Sequence, residues 1–207
     1  MTTPHLQVNH AQCQRAGEVL FAPVSLALKP GELAVIAGPN GSGKTTLLEA
    51  LAGLSRLTVG ERQYGAAEHP DDWLANSHYL GHKLGNKANL TCAENLAFVA
   101  QMNQVTCPQQ DIEAALEQAG LAGHEYQHAS DLSAGQKKRL ALSRLLLLGK
   151  TYWLLDEPFV NLDHAGCDWL YAIIECHVQQ GGAVLLSAHD QQRIHDLADH
   201  HITLQPI

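Results

Sequence analysis

One segment constrains this chain more than any other: Gly38-Pro39-Asn40-Gly41-Ser42-Gly43-Lys44-Thr45. It fits the pattern G-x-x-x-x-G-K-[ST] and stands between an apolar run, Leu33-Ala-Val-Ile-Ala37, that reads as a strand, and a helical pattern that begins near Gly43. A strand, glycine loop and helix in that order form a phosphate cradle, because the backbone N–H groups curl around phosphate oxygens at the positive end of the helix. Lys44 brings a point charge to the β- and γ-phosphates of a nucleotide, Thr45 offers a hydroxyl to Mg²⁺, and Thr46 reaches the α-phosphate.

The rest of the chain supplies the sheet such a loop requires. Tyr152-Trp-Leu-Leu155 runs into Asp156, and Ala183-Val-Leu-Leu-Ser187 runs into His189. In open parallel sheets ligands bind beyond the carboxyl ends of the strands, so three strands that end in polar residues point to one shared site. Val24–Leu28 with the turn Lys29-Pro30-Gly31 reads as an antiparallel hairpin flanking that sheet. From about Thr91 to Leu148 the pattern becomes helical, with Thr91 as N-cap and Glu94 completing a capping box. The expected fold is an α/β P-loop NTPase with a mostly parallel sheet, an N-terminal antiparallel β hairpin region and an inserted α-helical subdomain. All 207 residues are expected in one domain, the core from 1–81 and 151–207 and the helical subdomain from about 82–150.

Composition narrows the function classes. A net charge of −8 disfavours a nucleic-acid partner, whose phosphates need a basic face. The five cysteines are scattered and form no C-x-x-C pair, so neither a disulfide framework nor a zinc site is expected. No stretch approaches the roughly 18 uncharged apolar residues of a membrane span, and Met1–His10 lacks the pattern of a signal peptide, which places the expected location in the cytosol.

Two further segments carry chemistry. Asp156-Glu157-Pro158 puts an acidic pair at a strand end beside the P-loop, where Asp156 can hold Mg²⁺ through water and Glu157 can polarise the water that attacks the γ-phosphate. Leu132-Ser133-Ala134-Gly135-Gln136 precedes a helical run over Lys137–Leu148, so Ser133 is an N-cap and the helix start is an anion site. By itself an acidic pair or a serine at a helix start also serves simply to cap a helix.

Taken together and in order, Gly38–Thr45, Leu132–Gln136, Leu154–Pro158, Asn161-Leu162-Asp163 and Ser187-Ala-His189 resemble the nucleotide-binding domains of ABC transporters over nearly the whole chain. The family's signature L-S-G-G-Q is matched with Ala134 at its third position. The resemblance implies ATP as substrate with Mg²⁺, and a second copy of the chain as partner. Leu132, Ser133, Ala134, Gly135 and Gln136 of one copy then face the γ-phosphate held by the P-loop of the other. It also implies that Lys44, Glu157 and His189 serve catalysis, with His189 contacting the γ-phosphate and Asn161–Asp163 crossing between copies.

Two departures are informative. Arg15 stands where the family has an adenine-stacking aromatic, and a guanidinium can lie over a ring in its place. His82, in Tyr79-Leu-Gly-His82, stands where the family has a glutamine that couples the nucleotide to the membrane partner. With Gly85, Lys87, Leu90-Thr91 and Glu94-Asn95-Leu96, that segment resembles the ATP-binding subunit of the cytochrome c maturation haem exporter. This implies integral membrane permease subunits as partners, a peripheral place on the cytoplasmic face of the bacterial inner membrane, and work in haem export or in release of haem from its periplasmic carrier. An ABC transporter of another solute shares every one of the catalytic motifs. Direct haem binding is not expected, since the thirteen histidines include no C-x-x-C-H motif.

Overall fold

The computed structural model describes residues 6–64, 75–188 and 191–207. The chain divides into two compact units, Met1–Gly81 with Lys150–Pro158 and Ile174–Ile207, and His82–Gly149 with Phe159–Ile173.

In the first unit, β1 (Leu6–Gln12), β4 (Val24–Leu28) and β6 (Val59–Tyr64) form an antiparallel sheet in the order β4-β1-β6, beside a small hairpin of β2 (Gln14–Arg15) and β3 (Glu18–Val19). Buried residues alternate along β4 and along β1 as far as Val8, as they must when one face of a sheet meets the core, and an irregularity before Ala11 shifts the register of β1. The partner of β4 is β1, and the turn at Lys29-Pro30-Gly31 carries the chain out of this sheet into β5 (Leu33–Ala37) of the parallel one.

The parallel sheet adds β7 (Ser77–Leu80), β8 (Tyr152–Asp156), β9 (Ala183–Ser187) and β10 (His200–Thr203) in the order β10-β5-β9-β8-β7. Every residue of β8 and β9 is buried, and the apolar runs do not alternate because a parallel sheet is covered on both faces. Register decides where the site falls. Ile36 pairs with Ser187 and Ser187 with Asp156, so β5, β9 and β8 end side by side. Helix α1 (Lys44–Leu51) follows β5 and buries Leu47, Leu48 and Leu51 with Leu6, Phe21, Leu28 and Leu154 in one core. Each such side chain contributes about 1.5–3 kcal/mol by leaving water.

The second unit contains α2 (Cys92–Met102), α3 (Gln109–Gln118), α4 (Ala134–Leu142), α5 (Arg144–Leu147) and the part of α6 (His164–Gln179) up to Ile173. Its core gathers Leu96, Ile112, Leu116, Leu121, Leu132 and Leu140. The Thr91–Glu94 capping box starts α2. The helical run expected over Lys137–Leu148 is two helices. They part at Ser143, whose hydroxyl donates to Leu140 O at 2.8 Å and competes with the helix ladder. Phe159–Ile173 groups here although the sequence pattern placed it with the core. Phe159 packs on Tyr171, and Arg139 is ion-paired with Asp163. A last helix, α7 (Gln192–Leu197), precedes β10 in the first unit.

Candidate nucleotide-binding site

The loop leaving β5 is shaped by its glycines. Gly43 has φ +96, a left-handed conformation, and a Cβ there would lie 2.8 Å from Phe21 Cδ1. Both facts demand glycine immediately before α1. Lys44, at the first turn of α1, is buried, and its ammonium donates to Gly38 O at 2.7 Å and to Pro39 O at 3.1 Å. Neutral carbonyls orient the charge without cancelling it, which suits a site for phosphate.

Asp156 is the hub of this site. It is 1% exposed, yet each of its carboxylate oxygens accepts a hydroxyl. Thr45 Oγ1 donates to Oδ2 at 2.7 Å and Ser187 Oγ to Oδ1 at 2.7 Å. Ser187 Oγ in turn accepts from Glu157 N–H at 2.8 Å. Tyr79 on β7 has its phenol pushed up by burial first and then by the charges of Asp156 and Glu49, so it stays neutral beside them. The touching oxygens of Thr45 and Asp156 are hard donors of the kind Mg²⁺ takes together with substrate phosphates, so this pair fits that ion. Glu157 has φ +44, uncommon for a side chain of its kind and costing on the order of 1–3 kcal/mol. The Ser187 bond holds the Glu157 main chain in this conformation just after β8.

In the second unit, Ser133 caps α4 in a full capping box. Its Oγ accepts from Gln136 N–H at 3.2 Å, and Gln136 Oε1 accepts from Ser133 N–H at 2.9 Å. Gly135 lies so close to Asn161 that an added Cβ would stand 2.9 Å from Asn161 O. Asn161 has φ +67, and Asp163 accepts from Gly166 N–H at 2.9 Å and from Arg139. Those two donors, the amide first, hold the Asp163 carboxyl below the usual range. Thus Leu132–Gln136 and Asn161–Asp163 meet within one unit, while Gly38–Thr46 and Asp156-Glu157 meet within the other.

Among the remaining expected site residues, Arg15 lies exposed on the β2–β3 hairpin, and His82 is exposed just after β7. His189 lies outside the described residues. Sequence reasoning missed Ser187 as a site residue, although a polar residue at the end of an all-apolar strand was a signal. It also missed the scaffold of the segment after His82. There the Arg144 guanidinium donates to Leu84 O at 2.6 Å, and Asn95, 1% exposed, bonds Lys87, Leu90 and Thr91. Burial lowers the Arg144 guanidinium to about 10.

The family profile described as ABC transporter matches residues 21–160. The chain is 41% identical to the cytochrome c biogenesis ATP-binding export protein CcmA of Hahella chejuensis, over 90% of each chain. It is also 41% identical to the protein of that name from Dechloromonas aromatica, over 91% of this chain and 94% of that one. Among solved structures, an ATP-binding subunit of an ABC transporter superposes with TM-score 0.86 at 21% identity, covering 97% of this chain and 86% of the other. A dimeric ATP-binding cassette in a post-hydrolysis state with ADP and Pi superposes with TM-score 0.82 at 22% identity, over 97% and 94%.

Proposed function

Because the chain belongs to the ABC transporter family, and within it to the cytochrome c biogenesis ATP-binding export proteins, we propose that it is the ATP-hydrolysing subunit of a membrane complex for c-type cytochrome assembly. The observation that carries this reading is the 41% identity along nine-tenths of both chains, since the P-loop geometry alone would serve any solute. The relatives favour it over an ABC transporter of another solute.

ATP enters with its phosphates on the Gly38–Thr46 backbone, and the Lys44 ammonium turns from the loop carbonyls to the β- and γ-phosphates. Thr45 and Asp156 would hold Mg²⁺, which would supply charge neutralisation to the phosphates. Glu157 accepts a hydrogen bond from the attacking water and orients it, His189 contacts the γ-phosphate, and Arg15 covers the adenine. Ser133 and Gly135 of a second copy close over the γ-phosphate, and Asn161–Asp163 runs between the copies. His82 relays the state of the site to integral membrane subunits. The chain itself acts from the membrane surface; among the described residues no helix is long and apolar enough to cross a bilayer. The work performed is haem export or release of haem from its carrier.

The test is complementation of a bacterium that lacks its own ATP-binding subunit for cytochrome c maturation. Wild type restores c-type cytochromes and Lys44→Ala does not, while the purified wild-type chain hydrolyses ATP. A chain that hydrolyses ATP and binds its membrane partners yet restores no cytochrome overturns the assignment to this pathway.

A further inference from the structure

Hydrogen bonds run in one line through the second unit. Ser133 N–H donates to Gln136 Oε1 at 2.9 Å. A backbone N–H only donates, so the Gln136 amide is pinned with its oxygen toward Ser133 and its NH₂ outward. That NH₂ meets His124 Nε2 at 3.2 Å, and the ring nitrogen there must accept. The proton of the ring therefore sits on Nδ1, which donates to Gln127 Oε1 at 2.6 Å. Gln127 Nε2 then donates to Asp131 O at 3.3 Å. Both ends of the line are main-chain groups of fixed sense, a donor at Ser133 and an acceptor at Asp131. One orientation of each amide and one neutral tautomer of His124 satisfy every link.

We infer that His124 is a positioning residue that acts through Gln136 to hold Ser133 in shape for a phosphate, an inference that rests on the reading of Ser133 as a contact to nucleotide across a dimer. Ser133 and Asp131 flank Leu132, which is 4% exposed, so the line clamps the turn before α4 on both sides of a residue already fixed in the core. Ser133 Oγ accepts from Gln136 N–H, which leaves its own O–H to serve as a donor for an anion. Without an acceptor at His124, the Gln136 side chain is held against Ser133 by the Ser133 N–H bond alone and its NH₂ loses its protein partner. It then exchanges more readily with water, and half of the capping box loosens.

The test is ATP turnover by the full chain, measured beside equilibrium ATP binding and a thermal melt. His124→Phe keeps a planar ring and removes the acceptor. We expect its kcat to fall about fivefold, the worth of one hydrogen bond, while ATP affinity stays within about twofold, because the P-loop lies in the other unit. His124→Gln, whose amide oxygen reaches Gln136, retains most of the rate. His124→Asn keeps a donor for Gln127 but is too short to reach Gln136, and behaves like His124→Phe; it replaces that variant should His124→Phe melt early. In a Gln136→Ala background the loss from either short or apolar variant disappears, as it must if His124 acts through Gln136. Ser133→Ala separates the two levels of the reading. Wild-type turnover by Ser133→Ala removes the trans contact itself. Impaired Ser133→Ala with unimpaired His124→Phe and His124→Asn, or an undiminished loss without Gln136, overturns the role of His124 alone.

Discussion

Ser187 illustrates how much one hydroxyl can organise. It donates to Asp156 and accepts from the Glu157 amide, so a single 0% exposed side chain sets both the carboxylate proposed for Mg²⁺ and the strained residue proposed to orient water. Ser187→Ala removes the hydroxyl that donates to Asp156 Oδ1 and accepts from Glu157 N–H, a loss on the order of 1–3 kcal/mol. We expect kcat to fall at least tenfold, as when a donor is removed from an active site, with a smaller effect on ATP affinity, which Lys44 and the loop amides maintain. Turnover and ATP binding measured on the same preparation check it. An unchanged kcat would show that Asp156 and Glu157 are oriented by something else.

Among the elements, β8 is anchored by α6. The His177 ring stacks on Trp153 with centroids 3.7 Å apart and planes 6° from parallel, and His177 Nε2 lies 3.0 Å from Thr151 O just before β8 begins. Burial lowers the basicity of His177 from the ordinary 6.5, and the carbonyl of Thr151 offsets part of that. The folded ring thus resists protonation more than the unfolded one. Its contribution to stability is fully present above 6.5 and is lost as pH falls from there toward the lower folded value. The melting temperature should drop as pH falls below 6.5, a window that opens above that of the carboxylates, and His177→Phe should flatten the drop while keeping the stack. Identical slopes for wild type and His177→Phe would exclude this histidine as the cause. Asp163, held low by Gly166 N–H and Arg139, contributes stability present above the ordinary 3.8 and lost only at more acid pH, so the two effects separate.

For the whole molecule the decisive variable is association. Glu157→Gln preserves the shape of the residue and leaves Asp156, Thr45 and Lys44 untouched while removing the charge that orients water. ATP should then bind and remain, and a stable dimer should appear by light scattering with ATP and vanish with ADP. A monomer under ATP, with hydrolysis blocked, would contradict the two-copy site. Coupling to the membrane is tested at His82. His82→Ala should bind ATP normally and lose most cytochrome c maturation, and His82→Gln should recover more than His82→Ala, because an amide reproduces a donor and an acceptor as imidazole does. Unimpaired maturation in His82→Ala would take this residue out of the coupling path.

What this sequence determined alone was whatever short stretches of chain build by themselves. The P-loop needs only the backbone of Gly38–Thr45 and the helix after it, and the capping boxes at Thr91 and Ser133 each close within one helical turn. The all-apolar runs of β5, β8 and β9 declared a sheet covered on both faces, for the same local reason. Tertiary structure decided what depends on strand order and on surfaces meeting far along the chain. Thr45 reaches Asp156 across 111 residues, and Ser187 reaches Asp156 across 31, only because β9 enters the sheet between β5 and β8. The partner of β4, the break at Ser143, the grouping of Phe159–Ile173 with the helices, and the facing of His124 and Gln136 follow from packing. No local pattern encodes these, because each exchanges one local preference for the burial or hydrogen bonding of a residue remote in sequence.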